Sequence, residues 1–365
     1  MKRLILPLVF SLFSAGATIA QTGEDLQDPA VLNIRIKNIN FLRDNEYSNP
    51  LTEGYTLIGF LIQPSLVYIP SERLKISLGA QVLSYAGTYK IKSPALVFST
   101  GFRVFPHTTL TLGSLDGCDR HRLDDQISYS ERTYTAHTES GVRIATEKDH
   151  VFNDTWVNWE NFISRGDTTR EVFVAGESFN YSTWLLNNKI HLDIPVQGTF
   201  KHLGGQISDY PEHVETFFDG SAGIKLGYKP GTDKKGTISI EFKQFRYQYI
   251  TLHGTFELRQ GNASRLRLIF EQGHLMITSG LWKSRNFYSP EGNPVFSSWS
   301  QRDPALFIHD RSIWMSSAGI VLHQGDYFEF FAGGETFYDL NRGHLDSELS
   351  LHLRFDRMFT IHKFR

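Results

Sequence analysis

The stretch Thr237–Lys243, TISIEFK, alternates strictly between polar and apolar side chains. Because successive side chains of a β-strand point to opposite faces, this stretch has one apolar and one polar face. The same alternation recurs at 73–82, 190–197, 265–270 and 349–356, whereas helical periodicity is almost absent. The sequence therefore predicts an all-β protein built from many two-faced strands.

The connections between these strands alternate between short and long. Short links fall at 70–72, 106–107, 147–149, 187–188, 231–236, 272–273 and 324–325, and longer polar stretches, such as 114–135 and 283–305, lie between them. A candidate eighth link lies at 356–357, with a continuous last strand as the alternative. Outer-membrane barrels have this asymmetry, with short periplasmic turns and longer outward loops. We predict a transmembrane antiparallel up-and-down β-barrel of about 16 strands, with roughly 14 to 18 compatible with the pattern.

Two prolines disagree with a regular barrel. Pro64 and Pro195 fall inside predicted strands, where each removes one donor from a β-ladder, and a closed barrel has no free edge to place them on. They indicate bulges or displaced strand boundaries.

The first twenty residues have the three parts of an export signal. Lys2 and Arg3 precede the apolar run 4–13, and small residues follow as far as Ala20. We predict a cleaved signal peptide at 1–20 and a single barrel domain at 21–365, located in the outer membrane and surrounded by its lipid.

Composition excludes several other classes of protein. There are 37 basic and 39 acidic residues, a balance that gives no support to nucleic-acid binding. A single cysteine excludes a disulfide framework and multi-cysteine zinc or iron–sulfur sites, and we predict no cofactor.

Aromatic residues cluster near the predicted strand ends, where outer-membrane barrels carry interfacial girdles. The predicted girdle is Tyr47, Tyr55, Tyr68, Tyr85, Phe102, Phe105, Trp156, Trp159, Phe162, Phe179, Phe337 and Tyr338.

Three segments resemble a family of outer-membrane β-barrel proteins from Bacteroidota. They are EGYTLIGFLIQPSLVYIP at 53–70, VFNDTWVNWENFISRG at 151–166 and HLGGQI at 202–207. The resemblance implies a barrel fold and an outer-membrane location. It implies no activity and no functional residues.

The polar strand faces are predicted to line the lumen, because the apolar faces meet lipid. A basic lumen favours anionic solutes, whereas opposite charges that pair across the barrel would instead fill and stiffen it. The predicted lumen-lining residues are Arg35, Lys37, Arg73, Lys75, Arg143, Lys243, Arg265, Arg267, Arg354, Asp193, Glu241, Glu329 and Glu335.

One loop gathers the densest set of possible metal ligands. Cys118, Asp119, His121, Asp124 and Asp125 lie close together, but their spacing matches no known site and favours a solvated acidic loop, so we predict no metal. The chain has neither an HExxH nor a GxSxG motif, and we predict that it is not an enzyme.

The primary functional hypothesis is a porin-like channel or passive transporter for small polar solutes, with a preference for anionic solutes as one version of it. The alternative is a non-conducting barrel that binds an outer-membrane protein partner through its long loops, above all 114–135 and 283–305. A barrel-borne hydrolase with serine and histidine at the rim is a third, less favoured hypothesis.

Overall fold

The computed structural model describes residues 29–364, apart from 89, 90, 93, 137, 206, 208, 212, 231–235, 252, 253, 255 and 326. The predicted signal peptide lies outside the described residues. Within the described part of the chain, no helix has the length and apolar character needed to cross a membrane.

The described residues form sixteen antiparallel strands that close into one barrel, each strand pairing with its neighbours in sequence and β1 pairing with β16. The predicted fold class and strand number are confirmed. The strands are β1 Val31–Glu46, β2 Tyr55–Ser71, β3 Leu74–Tyr85, β4 Ala95–Phe105, β5 Thr108–Ser114, β6 Ser140–Lys148, β7 Val151–Asn161, β8 Glu171–Leu185, β9 Ile190–Gly204, β10 Glu215–Tyr228, β11 Thr237–Tyr249, β12 Gln260–Gln272, β13 Leu275–Arg285, β14 Asp310–Gln324, β15 Glu329–Asp339 and β16 Leu345–Lys363.

The barrel wall is apolar on its outside. In β11, Ile238 and Ile240 are 52% and 51% exposed, whereas the intervening Ser239 and Glu241 are 1% and 4% exposed. A soluble barrel would bury its apolar face, so this reversed arrangement suits a wall that contacts lipid.

Both unexpected prolines lie inside strands. Pro64 pairs with Ile36 of β1, but the β2–β3 register passes from Ile62↔Val82 to Ser65↔Gly79 without a pair for Pro64. Pro195 likewise pairs with β8, and the β9–β10 register omits it. Each proline therefore lies where one of its two ladders is interrupted, which removes the need for its missing N–H.

Two sequence predictions about strand ends are wrong. The candidate link at 356–357 does not exist, because β16 continues through Asp356 to Lys363 and pairs with β1 over that length. Four members of the predicted girdle instead pack in the barrel interior: Tyr47, Trp156 and Phe337 in the larger core cluster, and Tyr85 against Phe41 in the smaller one. Others, among them Tyr68, Phe105, Trp159 and Phe162, are exposed on the wall or its loops.

The two longest connections fold into the lumen. We call residues 115–139, between β5 and β6, the plug segment, and residues 286–309, between β13 and β14, the cap segment. The plug segment contains a 3-10 turn at Cys118–His121 and one helical turn, α1, at Arg132–Thr135. Tyr129 N donates to Glu291 O, and Asn293 N donates to Asp125 O, so the cap segment is bonded directly to the plug segment.

Candidate functional site

The plug segment crosses the lumen and is hydrogen bonded around most of the barrel wall. Its side chains and backbone contact ten of the sixteen strands. The wall residues involved are Arg35, Tyr55, Gln81, Glu147, Asp154, Gln197, Ser221, Lys243, Arg265 and Glu348. The hypothesis that loops 114–135 and 283–305 form an exposed contact surface therefore loses its structural basis, since both are largely buried inside the barrel.

Asp124 is the centre of the largest ionic contact between plug and wall. Its carboxylate lies 2.8 Å from Lys243 Nζ and 2.7 Å from Arg265 Nη2, and it accepts a hydrogen bond from Ser221 Oγ at 3.2 Å. Arg265 Nη2 also donates to Glu241 at 2.8 Å. Burial alone would raise the pKa of Asp124, but the two cations outweigh it and lower that pKa to about 2. The residue is therefore ionised at any physiological pH.

A second ionic cluster lies where β1 and β16 meet the plug. Arg43 bonds to Glu348 and lies 3.4 Å from Glu131, and Tyr129 donates to Glu348 at 3.3 Å. Burial raises the pKa of Glu131, and burial together with the charge of Glu348 raises the pKa of Asp125 to about 6. Acidic groups outnumber the one arginine here, so part of this cluster is protonated below neutral pH.

His121 is clamped between two carboxylates inside the lumen. Its Nδ1 lies 3.1 Å from Asp154 and its Nε2 lies 2.9 Å from Glu139, while its ring stacks on Trp156 at 3.6 Å between centroids. Burial opposes protonation, but Glu139 and Asp154 outweigh it and raise the pKa of His121 to about 9. Because both nitrogens are occupied and the ring is charged at neutral pH, His121 anchors the plug and cannot serve as a general base.

The structure places the predicted lumen-lining residues in several different surroundings. Arg35, Lys37, Lys243 and Arg265 contact the plug segment, Arg143 pairs with Asp154, Arg267 pairs with Glu241, and Asp193 pairs with His191. Glu329 and Arg354 are buried, whereas Lys75 and Glu335 are half-buried. Arg73 lies in the exposed turn between β2 and β3, outside the strand faces on which the prediction placed it.

The loop interpreted as a solvated acidic surface is instead the buried plug, so that interpretation is wrong. Asp119, His121 and Asp124 are 6%, 1% and 1% exposed, and burial raises the pKa of the Cys118 thiol to about 12. Among the described residues no cluster of three or more His, Cys, Asp or Glu has the arrangement needed for a metal ion. A cavity of about 20 Å³ beside Cys118, Ser128 and Trp156 has room for one water molecule.

Sequence reasoning missed the wall residues that hold the plug. Asp154, Arg43 and Glu348 lie on the polar faces of β7, β1 and β16, and each has a partner in the plug besides its partner in the wall. Glu139 is part of the plug itself. Alternation along β7 was the one available signal, since it places Asp154 and Trp156 on the same face.

The outer wall carries a distinct row of side chains near the long-loop end. We call Trp159, Phe173, His202 and Thr216, which are neighbours in register on β7 to β10, the rim row. The rings of Trp159 and Phe173 are 5.6 Å apart, those of Phe173 and His202 are 4.9 Å apart, and Thr216 Oγ1 lies 3.0 Å from His202 Nδ1. The adjacent Lys201 points inward, where its Nζ lies 3.0 Å from Glu160 and also contacts Glu291 of the cap segment. Alternation therefore directs His202 outward.

This architecture is a porin-like outer-membrane barrel. It is similar to OmpTdeltaL8, a loop-deletion mutant of an outer membrane protein of Vibrio cholerae, with a TM-score of 0.51 and 8% identity over 90% of this chain and 100% of that chain. It is also similar to Pseudomonas aeruginosa OccK2, solved in complex with glucuronate, with a TM-score of 0.51 and 9% identity over 92% of this chain and 100% of that chain. For Acinetobacter baumannii OccAB3 the TM-score is 0.50 and the identity is 12%, over 90% of this chain and 99% of that chain. At these identities the likeness establishes the fold, and it supports the outer-membrane location.

A family model described as Lipid A 3'-O-deacylase-type matches residues 25–364, so the chain belongs to that family. The resemblance to an outer-membrane barrel family is thereby confirmed. The prediction that the chain is not an enzyme is wrong on this finding, because the family is described by an enzymatic activity. No curated protein is similar enough to the chain to count as a match.

Proposed function

We propose that the protein is an outer-membrane hydrolase that removes acyl chains from ester positions of lipid A or a closely related glycolipid. Family membership over 25–364 supports this class of reaction. The observation that carries the proposal is the filled lumen, which the largely buried plug and cap segments occupy. A molecule with several acyl chains is therefore expected to meet the protein from the membrane side.

An outer-membrane location would place the protein beside the substrate of the proposed reaction. The wall exposes a continuous series of apolar side chains to lipid, and the predicted signal peptide at 1–20 would send the chain out of the cytoplasm. Outer-membrane lipid then serves both as solvent for the wall and as the source of substrate.

The test uses the full-length mature chain, refolded and inserted into phospholipid vesicles that contain lipid A. Mass spectrometry of the lipids and the released fatty acids would detect loss of an ester-linked chain. We expect release of one acyl species with time and protein concentration. Equal release from vesicles with heat-unfolded protein, or no release under any condition, would reject the proposal.

Passage of small polar or anionic solutes is the second candidate. It is supported by the fold shared with OccK2, a protein solved with glucuronate, and by the basic residues of the lumen. The plug opposes it, since Lys243 and Arg265 are already paired with Asp124. Planar bilayers with the purified protein would show stable conductance steps if this role is correct, and only leak current if it is not.

Binding of an outer-membrane partner is proposed only for the loops that remain outside. These include 162–170 and the described residues of 205–214, which flank the rim row. Photo-crosslinking from Arg165, which is exposed, should capture one defined protein in intact cells if such a partner exists, and a ladder of random products if it does not.

A further inference from the structure

The rim row combines a hydroxyl, an imidazole and an aromatic surface on the outside of the barrel. Thr216 Oγ1 and His202 Nδ1 are within hydrogen-bond distance at 3.0 Å. This is the separation expected of a nucleophile and the base that activates it. The backbone N–H of Thr216 donates to Thr251 Oγ1 at 2.8 Å, which fixes the position of the threonine on the wall.

His202 differs from the buried histidines of the lumen. Both nitrogens of His121 are bound to carboxylates. His352 is 3% exposed, bonded to Tyr134 and stacked on Phe331, with no opening for a substrate. His202 is half-buried on the outer wall, and within the part of the chain that the structure describes its hydrogen bond runs from Nδ1 to Thr216, which leaves Nε2 available.

The surroundings of the pair suit an acyl chain. Trp159 is 41% exposed, Phe200 is 44% exposed, and Phe162 in the adjoining loop is 76% exposed. Trp159 Nε1 donates to Glu171 at 3.0 Å, and this bond orients the indole beside Phe173. Exposed aromatic side chains at this height meet the boundary between lipid chains and headgroups, where the ester bonds of a glycolipid lie.

We propose that Thr216 and His202 form the catalytic pair of the hydrolase, and that the substrate is a membrane-embedded acyl ester entering sideways from the outer leaflet. This inference rests on the proposed function. Thr216 Oγ attacks the ester carbonyl carbon while His202 takes the hydroxyl proton. The bond from that carbon to the sugar oxygen then breaks, and His202 returns the proton to the sugar alkoxide.

The resulting threonine ester is hydrolysed in a second half-reaction. A water molecule attacks the acyl carbon, His202 takes one of its protons, and the bond to Thr216 Oγ breaks. The proton returns to Oγ, which restores the pair and releases a fatty acid. The two halves together consume one ester and one water and change no oxidation state.

Glu171 acts as a positioning residue in this scheme, because it reaches the site through Trp159. Replacing Glu171 by Gln keeps a hydrogen-bond acceptor for the indole and is expected to preserve activity. Replacing it by Leu removes the acceptor and is expected to weaken use of long-chain esters in vesicles more than use of a short soluble nitrophenyl ester. Equal loss on both substrates would assign Glu171 a merely structural role.

The decisive experiment measures fatty-acid release from lipid A vesicles by His202→Gln, Thr216→Val and Thr216→Ser variants. His213→Gln is the matched control, since His213 is an exposed histidine in the loop before β10. We expect the first two variants to lose roughly 10²–10⁴-fold in rate, the serine variant to retain activity, and the control to match wild type. Retained heat-modifiable migration in gels shows that each variant is folded.

The outcomes separate the two proposals. If the wild-type protein releases no fatty acid, the proposed function fails. If the wild-type protein is active and His202→Gln and Thr216→Val are equally active, the hydrolase stands but the rim row is not its site. Rapid acid quenching followed by peptide mass spectrometry should also find an acyl group on Thr216 in the wild type, and an adduct on another residue would overturn the assignment.

Discussion

Replacing Asp124 by Asn is expected to loosen the plug while leaving the barrel folded. The change removes one negative charge from a carboxylate that contacts both Lys243 at 2.8 Å and Arg265 at 2.7 Å. Glu241 still compensates Arg265, but Lys243 loses its nearest counter-ion, since its distance to Glu241 is 3.9 Å. Breaking a buried pair in this way typically costs about 3–5 kcal/mol.

The native reporter for this change is Cys118, the single cysteine of the chain. It lies in the plug beside two small cavities, and its raised pKa keeps it a thiol at neutral pH, so a polar maleimide should label it slowly. When labelling follows the population of the opened plug, a loss of about 3 kcal/mol corresponds to roughly 100-fold faster labelling.

The assay compares labelling rates of wild type, Asp124→Asn and the control Asp149→Asn in the same vesicles. Asp149 is an exposed acid in the short turn between β6 and β7, so its loss should leave the rate unchanged. Equal rates for Asp124→Asn and wild type, with both proteins folded, would refute the view that this carboxylate holds the plug in the lumen.

Three further outcomes follow from the same contacts. The pKa of His121 rises from 6.5 to about 9 on folding, so the stabilisation from its protonation is complete below pH 6.5 and is lost as pH rises through 9. Urea unfolding should show a fall of about 3 kcal/mol in the free energy of unfolding over this range, and His121→Gln should lack that pH dependence. Gly176→Val should displace Trp156, whose ring lies 2.2 Å from the added Cβ position, and change the tryptophan fluorescence, whereas Gly101→Ala, with 3.9 Å of clearance, should not. Arg43→Met should destabilise the protein by about 3–5 kcal/mol in urea, and adding Glu348→Gln should recover part of that loss; full additivity would contradict the pairing.

The strands were predictable because their information is local. The two faces of β11 follow from the order of its residues alone, with Ile238 and Ile240 on one face and Glu241 on the other. The alternation of short and long links then predicts the number of strands. The position of a proline is less local. Pro195 is accommodated because the β9–β10 ladder omits it while the β8–β9 ladder includes it. The residues around Pro195 in the sequence do not show how either neighbouring strand pairs with it.

The interior was not predictable in the same way, because the charges of the plug look like those of a surface loop. Asp124 has no periodic pattern around it, and its partners Lys243 and Arg265 are more than a hundred residues away in sequence. The sequence around such a carboxylate is compatible both with exposure to water and with pairing to cationic side chains of the barrel wall. Its burial follows from the path of the plug, which no short segment specifies.

The same ambiguity explains why the polar strand faces gave a channel as the first hypothesis. An open lumen filled by water and a lumen filled by a charged plug both require polar inward side chains, so alternation cannot separate a conducting barrel from a closed one. What separates them is the counter-charge supplied by the long connections, such as Asp116 opposite Arg35 and Asp124 opposite Arg265.

Once the lumen is closed, the outer surface becomes the place to look for chemistry on lipids. A polar residue on a lipid-facing wall is costly unless it is paired, and His202 with Thr216 is such a pair among Trp159 and Phe173. The filled interior contributes rigidity to that wall, since Lys201, one residue before His202, is bonded to Glu160 and contacts the cap segment through Glu291. Inward charges that the sequence analysis did not single out, Lys201 and Glu160, therefore hold in place the strand that carries the proposed base.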